Sequence, residues 1–314
     1  MKTAQTRATY AVDAKANRVS RAGAYWGLIK GRQTLLLLAT GVTGWLSARP
    51  SIGAFTAGPA AARMLTNALL LTISLLAAIS GATALNMVLD RDIDARMTRT
   101  ANRPVPTGLI SPAQATLFGG GLVSLGLGLG LVMDATYGGM LAVGVVSDLL
   151  LYTVWLKRRS PWAILVGGIP AGMPILAGRA LGMGRVDAVG LLLALSILLW
   201  IPAHMMTLAI QYTTDYQQGG IPTWPTVHGF HSARQLTACA SALRTVALVT
   251  VGWYLRIPAY GLGLLALSGA VMLGLSLWYV WRPSPRRNHL LFKFASVDML
   301  GSVIILTLGS ILSG

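Results

Sequence analysis

The chain has no glutamate, a single cysteine and very little charge. Only 11% of its 314 residues are charged, against about a quarter in an ordinary soluble domain. So few charges cannot cover a water-facing surface, which excludes a soluble globular enzyme and a disordered chain. The lone Cys239 excludes an intramolecular disulfide and a cysteine-rich metal site, and with them a secreted disulfide scaffold. Residues 1–29 are basic and polar and lack the apolar stretch of a cleaved signal peptide, so they are expected to form a cytoplasmic tail.

What the chain does have is hydrophobicity, at 54% of its residues. A bilayer-spanning helix needs about 20 mostly apolar residues. Nine stretches meet that need, near 33–56, 63–88, 111–133, 136–156, 161–182, 186–212, 235–256, 258–282 and 292–313. The third and fifth are rich in glycine, which predicts close helix packing. The expected fold is all-α, a polytopic membrane bundle of nine transmembrane helices forming one domain over residues 30–314.

The net charge of +16 is large enough for a nucleic-acid binder, but its distribution argues otherwise. Basic residues gather in short clusters between apolar runs, as in a membrane protein whose positive loops stay inside. With the N-terminus in the cytoplasm, the outside loops keep only Arg49, Arg63, Arg179, Arg185 and Arg256, and Arg244 falls within a span. Every other Lys and Arg then lies inside. This predicts a protein of the cell membrane with its C-terminus outside, the lipid bilayer as its partner and no nucleic acid.

The acids are more informative. All nine are aspartates, and Asp90, Asp92, Asp94 and Asp215 fall in two regions between spans on the predicted cytoplasmic face. Asn86, Asp90 and Asp94 are four apart, so on a helix they share one face as a stripe of oxygen ligands. Oxygen-only ligands at a helix end suit Mg²⁺ shared with substrate phosphates. A solvated acidic helix end is the plainer alternative. Asp215, after the sixth span, shares the same face and could help bracket a diphosphate. Lys30, Arg32, Arg99, Arg103, Lys157 and Arg158 gather there too. Positive-inside topology alone explains most of them. Combined with the acids and a wide apolar body, they make a site for ionising a prenyl diphosphate, with charge stabilised on the leaving group and water kept from the allylic cation.

At these residues the chain resembles a known family. The stretch from Asn86 to Gly108, NMVLDRDIDARMTRTANRPVPTG, is similar to the first aspartate motif of the UbiA superfamily of intramembrane prenyltransferases, in particular its protoheme IX farnesyltransferase (heme O synthase) branch. Tyr152 to Gly178 and Ile201 to Gly229 resemble the same branch, and Lys30-Gly31-Arg32 resembles its Lys-Pro-Arg. The resemblance implies a nine-helix UbiA-like fold. It implies Mg²⁺ bound by Asn86, Asp90, Asp94 and Asp215, with Asp90, Asp94, Asp215 and Lys157 catalytic. Arg32, Lys30, Asn86, Lys157, Arg158 and Arg103 would contact the diphosphate. It implies transfer of a farnesyl group from farnesyl diphosphate to a vinyl group of heme B, giving heme O, with water quenching the final cation.

The chain departs from that branch at Gly31, at Pro202-Ala203-His204-Met205-Met206, where the branch has Pro-Pro-His-Phe-Trp, at Gln211, and at Thr214, where a second acid is common. These changes spare the diphosphate half and loosen the acceptor half. An aromatic acid such as 4-hydroxybenzoate, a quinone precursor or a glyceryl phosphate lipid are alternative acceptors, and a transporter is the rival from another class. The charges cluster at one face and no inverted repeat is visible, against the transporter. His204 either contacts heme or hydrogen-bonds a helix carbonyl. His228, His231 and His289 read as solvated. Asp148, Asp298 and Arg244, within spans, are expected to pair with one another or with backbone groups, since unpaired charge in hydrocarbon is costly.

Overall fold

A computed structural model describes residues 20–48 and 58–312, and within them the regular structure is helical with no strands. Helix α1 (Arg21–Leu28) precedes α2 (Gly31–Leu46) and the long α3 (Gly58–Leu89), which is followed by the single turn α4 (Arg91–Asp94). Helix α5 (Pro112–Met133) leads to α6 (Ala135–Val146), which runs directly into a π-helical segment, Ser147–Leu156. Short α7 (Ala163–Val166) and α8 (Gly168–Met183) come next, then α9 (Ala188–Gln211), α10 (Thr213–Gln218) and α11 (Trp224–His228). The chain closes with α12 (Phe230–Tyr254), α13 (Ala259–Trp281) and α14 (Pro285–Leu312).

Eight helical segments among the described residues are long and apolar enough to cross a membrane, each overlapping an expected span. The remaining expected span, 33–56, is represented by the 16-residue α2, and its second half lies mostly in residues 49–57, outside the described ones. Residues 1–19 of the expected tail are also outside them. The end of that tail is ordered as α1, with Ala24 and Leu28 buried against Ala84, Met87, Val105 and Ile110. Large apolar side chains such as Leu65, Leu117, Val132, Trp253 and Trp281 stand exposed on the bundle, as lipid-facing positions require.

Local sequence sets the helix starts. Ser111 caps α5 in a reciprocal capping box with Gln114, and Pro112 takes the first position, where its missing N–H costs nothing. Asp134 accepts from the Tyr137 amide at 2.8 Å and Asp187 from the Gly190 amide at 2.8 Å. Two of the nine aspartates are thereby helix caps.

Small residues then bring helices together. A methyl placed on Gly178 would strike the Gly41 carbonyl, and one on Gly44 the Ile175 carbonyl, so α2 and α8 touch backbone to backbone. One on Gly126 of α5 would lie 2.5 Å from the Ala78 nitrogen of α3. In hydrocarbon, such close approach is a main source of helix association. Inside the bundle, Arg244 and Arg179 each meet an acid. Arg244 of α12 meets Asp298 of α14, whose other oxygen accepts from Ser268 of α13 at 2.5 Å. Arg179 grips Asp187 at 2.7 Å and the Ser47 carbonyl at 2.7 Å.

Candidate active site

The site forms where α3 ends. The helix pauses at Asp90, but backbone bonds from Asp90 to Asn86 (2.9 Å) and from Asp94 to Asp90 (2.8 Å) keep the four-residue rhythm. Asn86, Asp90 and Asp94 therefore stay in register. Asp90 and Asp94 are 5% and 2% exposed, which rules out the plainer alternative of a solvated acidic end. Each has a basic partner. Lys157 pairs with Asp90 through Oδ2, and Arg103 with Asp94 at 2.6 Å. Lys157 and Arg103 thus each sit against one acid of the motif.

Asp215, on α10, accepts from the Arg99 amide through its Oδ2 at 2.9 Å, which ties α10 to the segment that follows the aspartate motif. The Arg99 guanidinium meanwhile lies over the Tyr212 ring, 5.5 Å from its centre. Asp92 points elsewhere. Its carboxylate takes two bonds from Arg158, at 2.7 and 2.9 Å, and a longer contact from Arg96 at 3.7 Å. Arg158 holds that carboxyl below the usual carboxylate range. The structure thus gives Asp92 two basic partners, Arg96 and Arg158. Arg158 also binds the Leu89 carbonyl, so its fork is occupied by the end of α3. Arg32 is exposed on the first turn of α2.

Lys30 occupies a strained position. It has φ 44° and ψ 56°, a left-handed conformation unfavourable for a residue with a side chain. It lines a cavity of about 200 Å³ together with Asn86, Asp148 and Tyr152, whose other walls include Leu37, Ala82, Leu141, Ile164 and Met205. Burial, reinforced by Arg103 and Lys157, lowers the Lys30 pKa to about 8. The cavity is polar at the end shared with the aspartate motif and otherwise largely apolar. That is the shape of a site for an anionic head on an apolar tail.

Sequence reasoning missed Asp148 and Tyr152. Asp148 was expected to pair with Arg244, Asp298 or a backbone group; it instead accepts from the Asn86 side-chain amide at 2.6 Å. Arg244 and Asp298 do pair with each other. His204 faces away from the cavity, its ring stacked between Trp200 and Phe292, both centroids 4.6 Å away. Its Nδ1 is buried and lacks a hydrogen-bond partner, so that nitrogen makes no carbonyl bond. A second cavity, lined by Gln211, Tyr279, Asn288 and His289, opens along the same α9–α14 seam.

Among the described residues no three His, Cys or acidic side chains converge into a ready cation cage. The residues nevertheless fit Mg²⁺ shared with a substrate. The donors are all oxygen, and Asp90 Oδ1 is buried with no partner. An orphaned carboxylate oxygen is costly unless something satisfies it, and Mg²⁺ characteristically takes one or two carboxylates with substrate phosphates completing its shell.

Fold and site together define a membrane-embedded enzyme that handles a headgroup-bearing apolar chain. The chain belongs to the UbiA prenyltransferase family, whose model matches residues 23–297, and it is an integral membrane prenyltransferase. A protoheme IX farnesyltransferase of Korarchaeum cryptofilum is 37% identical over 219 residues, 70% of each chain. Another, of Archaeoglobus fulgidus, is 32% identical over 270 residues, covering 86% of this chain and 92% of that one. In fold, the chain is similar to a digeranylgeranylglyceryl phosphate synthase, with a TM-score of 0.75 at 18% identity over 93% of this chain and 99% of the other. It is also similar to a UbiA homolog from Archaeoglobus fulgidus solved with DMAPP and Mg²⁺, with a TM-score of 0.63 at 15% identity over 90% and 98%.

Proposed function

We propose that this prenyltransferase moves a farnesyl group from farnesyl diphosphate to a vinyl group of heme B, releasing diphosphate and giving heme O. The observation that carries the reading is the meeting of the aspartate motif and an apolar cavity at Asn86, the residue common to both. The protoheme IX farnesyltransferases among its relatives support the choice of donor and acceptor.

Asn86, Asp90, Asp94 and Asp215 hold Mg²⁺ in this reading, and the metal supplies charge neutralisation for the departing diphosphate. Lys157, Arg103, Lys30 and Arg32 donate to the diphosphate oxygens as negative charge grows there, while Arg158 stays engaged by Asp92 and the Leu89 carbonyl. The Lys157 and Arg103 side chains already lie against the two acids, so little reorganisation precedes the step. The apolar wall from Leu37 to Met205 holds the isoprenoid and excludes water from the allylic carbon. The allylic carbon–oxygen bond breaks, the vinyl carbon forms the new carbon–carbon bond, and water adds as hydroxyl with loss of one proton. His204, stacked between Trp200 and Phe292 away from this cavity, is not among the groups assigned to the porphyrin. In this reading the active site faces the cytoplasm, with the N-terminus inside and the C-terminus outside, an orientation the distribution of basic residues supports.

The test offers purified protein farnesyl diphosphate and Mg²⁺ with heme B or 4-hydroxybenzoate and measures diphosphate release. Release stimulated by heme alone supports the reading. Release stimulated by the aromatic acid alone moves the acceptor, as the changed segment Ala203 to Met206 would then explain.

A further inference from the structure

The π-helical segment Ser147–Leu156 places two side chains on Asn86 at once. Asp148 Oδ2 accepts from the Asn86 Nδ2 amide at 2.6 Å, and the Thr153 hydroxyl donates to Asn86 Oδ1 at 2.8 Å. These residues are five apart. On an α-helix they would lie roughly 140° apart around the axis and could not both face one partner. A π turn, closed by bonds five residues apart, puts them one above the other, and the Thr153 hydroxyl indeed also reaches the Asp148 carbonyl at 2.8 Å. The same winding serves Lys157, whose amide bonds the Tyr152 carbonyl at 2.8 Å and whose ammonium meets Asp90.

An ionised carboxylate only accepts, so it takes the nitrogen end of an amide and turns the oxygen away. Asp148 has no Lys or Arg within ion-pair distance among the described residues, a costly arrangement for an acid in a span. We propose that Asp148 is a positioning residue: with Thr153 it locks the Asn86 side chain so that its oxygen, not its nitrogen, is offered to the metal–diphosphate. This rests on the reading of Asn86 as a metal ligand given above. Outer partners that orient a metal ligand contribute about 10–100-fold in affinity.

The experiment measures Mn²⁺ binding, by the electron paramagnetic resonance of the free ion, to detergent-purified protein saturated with the unreactive donor analogue farnesyl S-thiolodiphosphate. The proteins compared are wild type, Asp148→Asn, Asn86→Ala and the double variant. Asp148→Asn keeps the shape but can donate to the Asn86 oxygen, permitting the flipped amide. The expected result is about tenfold weaker Mn²⁺ binding, and no further loss when the change is added to Asn86→Ala. Thr153→Val provides an independent variant with a loss in the same direction, should Asp148→Asn not fold. Undiminished Mn²⁺ binding in both Asp148→Asn and Thr153→Val, or losses that add fully to that of Asn86→Ala, overturns the inference alone. Undiminished binding in Asn86→Ala overturns the ligand assignment and this inference with it.

Discussion

Replacing Arg244 by Met isolates the stability of the bundle from its chemistry, because the Arg244–Asp298 pair contacts none of the candidate site residues. Both side chains are nearly sealed, at 3% and 1% exposed. Met fills much of the arginine stem's volume, so the main loss is the charge. Removing one partner of a buried pair costs about 3–5 kcal/mol, because the other charge is stranded. Asp298 retains its bond from Ser268 at 2.5 Å, while Ser302 loses its contact with Arg244 at 3.2 Å, a term of about 0.6 kcal/mol in a membrane interior. The expectation is therefore a loss of about 3–5 kcal/mol for Arg244→Met. Adding Asp298→Leu should recover most of it, because an apolar replacement of the whole pair is often neutral. Equilibrium unfolding in mixed micelles, followed by tryptophan fluorescence, measures all three variants. Additive losses in the double variant, or a loss below about 1 kcal/mol for Arg244→Met, would refute the reasoning that the pair is energetically coupled.

Other perturbations address the site and the packing. Asp90→Ala should lower Mg²⁺-dependent turnover at least about 10²-fold, measured as diphosphate release with the protein's fluorescence spectrum unchanged; retained turnover removes Asp90 from the metal set. Lys30 loses its charge as pH rises through about 8, so kcat/KM for the donor should fall above that pH, by up to tenfold per unit. Lys30→Arg should flatten that limb of the profile, and an unchanged limb would assign it to another group. Gly178→Val should separate α2 from α8, destabilising by about 1–3 kcal/mol or more, visible as aggregation on size exclusion; a monodisperse, fully stable variant would contradict the backbone contact. Ala82→Leu intrudes into the cavity and should shift preference toward a shorter prenyl donor by roughly tenfold, read by competition between geranyl and farnesyl diphosphates.

Hydropathy made the helices legible because lipid demands one long apolar run per crossing, and the four-residue rhythm of Asn86, Asp90 and Asp94 survived the pause in the helix at Asp90. The pairing of Asp90 with Lys157 joins residues 67 apart in sequence, a separation no local pattern encodes. The role of Asp148 was hidden for a different reason. An α-helical wheel puts it and Thr153 on different faces, and only the π winding aligns them. Five-residue spacings, from Asp148 to Thr153 and from Tyr152 to Lys157, were the available signal. Arg158 shows the opposite limit: its position at the cytoplasmic face was readable, but its engagement with Asp92 and the Leu89 carbonyl depends on how the π segment docks beside α3.

The central claim is transfer of a farnesyl group to heme at the Asn86–Asp94 site. It is tested most directly by mass spectrometry of the porphyrin after incubation of purified protein with heme B, farnesyl diphosphate and Mg²⁺. The account predicts a porphyrin heavier by one farnesyl group and one hydroxyl, formed by the wild type and absent with EDTA or in Asp90→Ala. Unmodified heme beside intact farnesyl diphosphate, or the same product from Asp90→Ala at the wild-type rate, would contradict it.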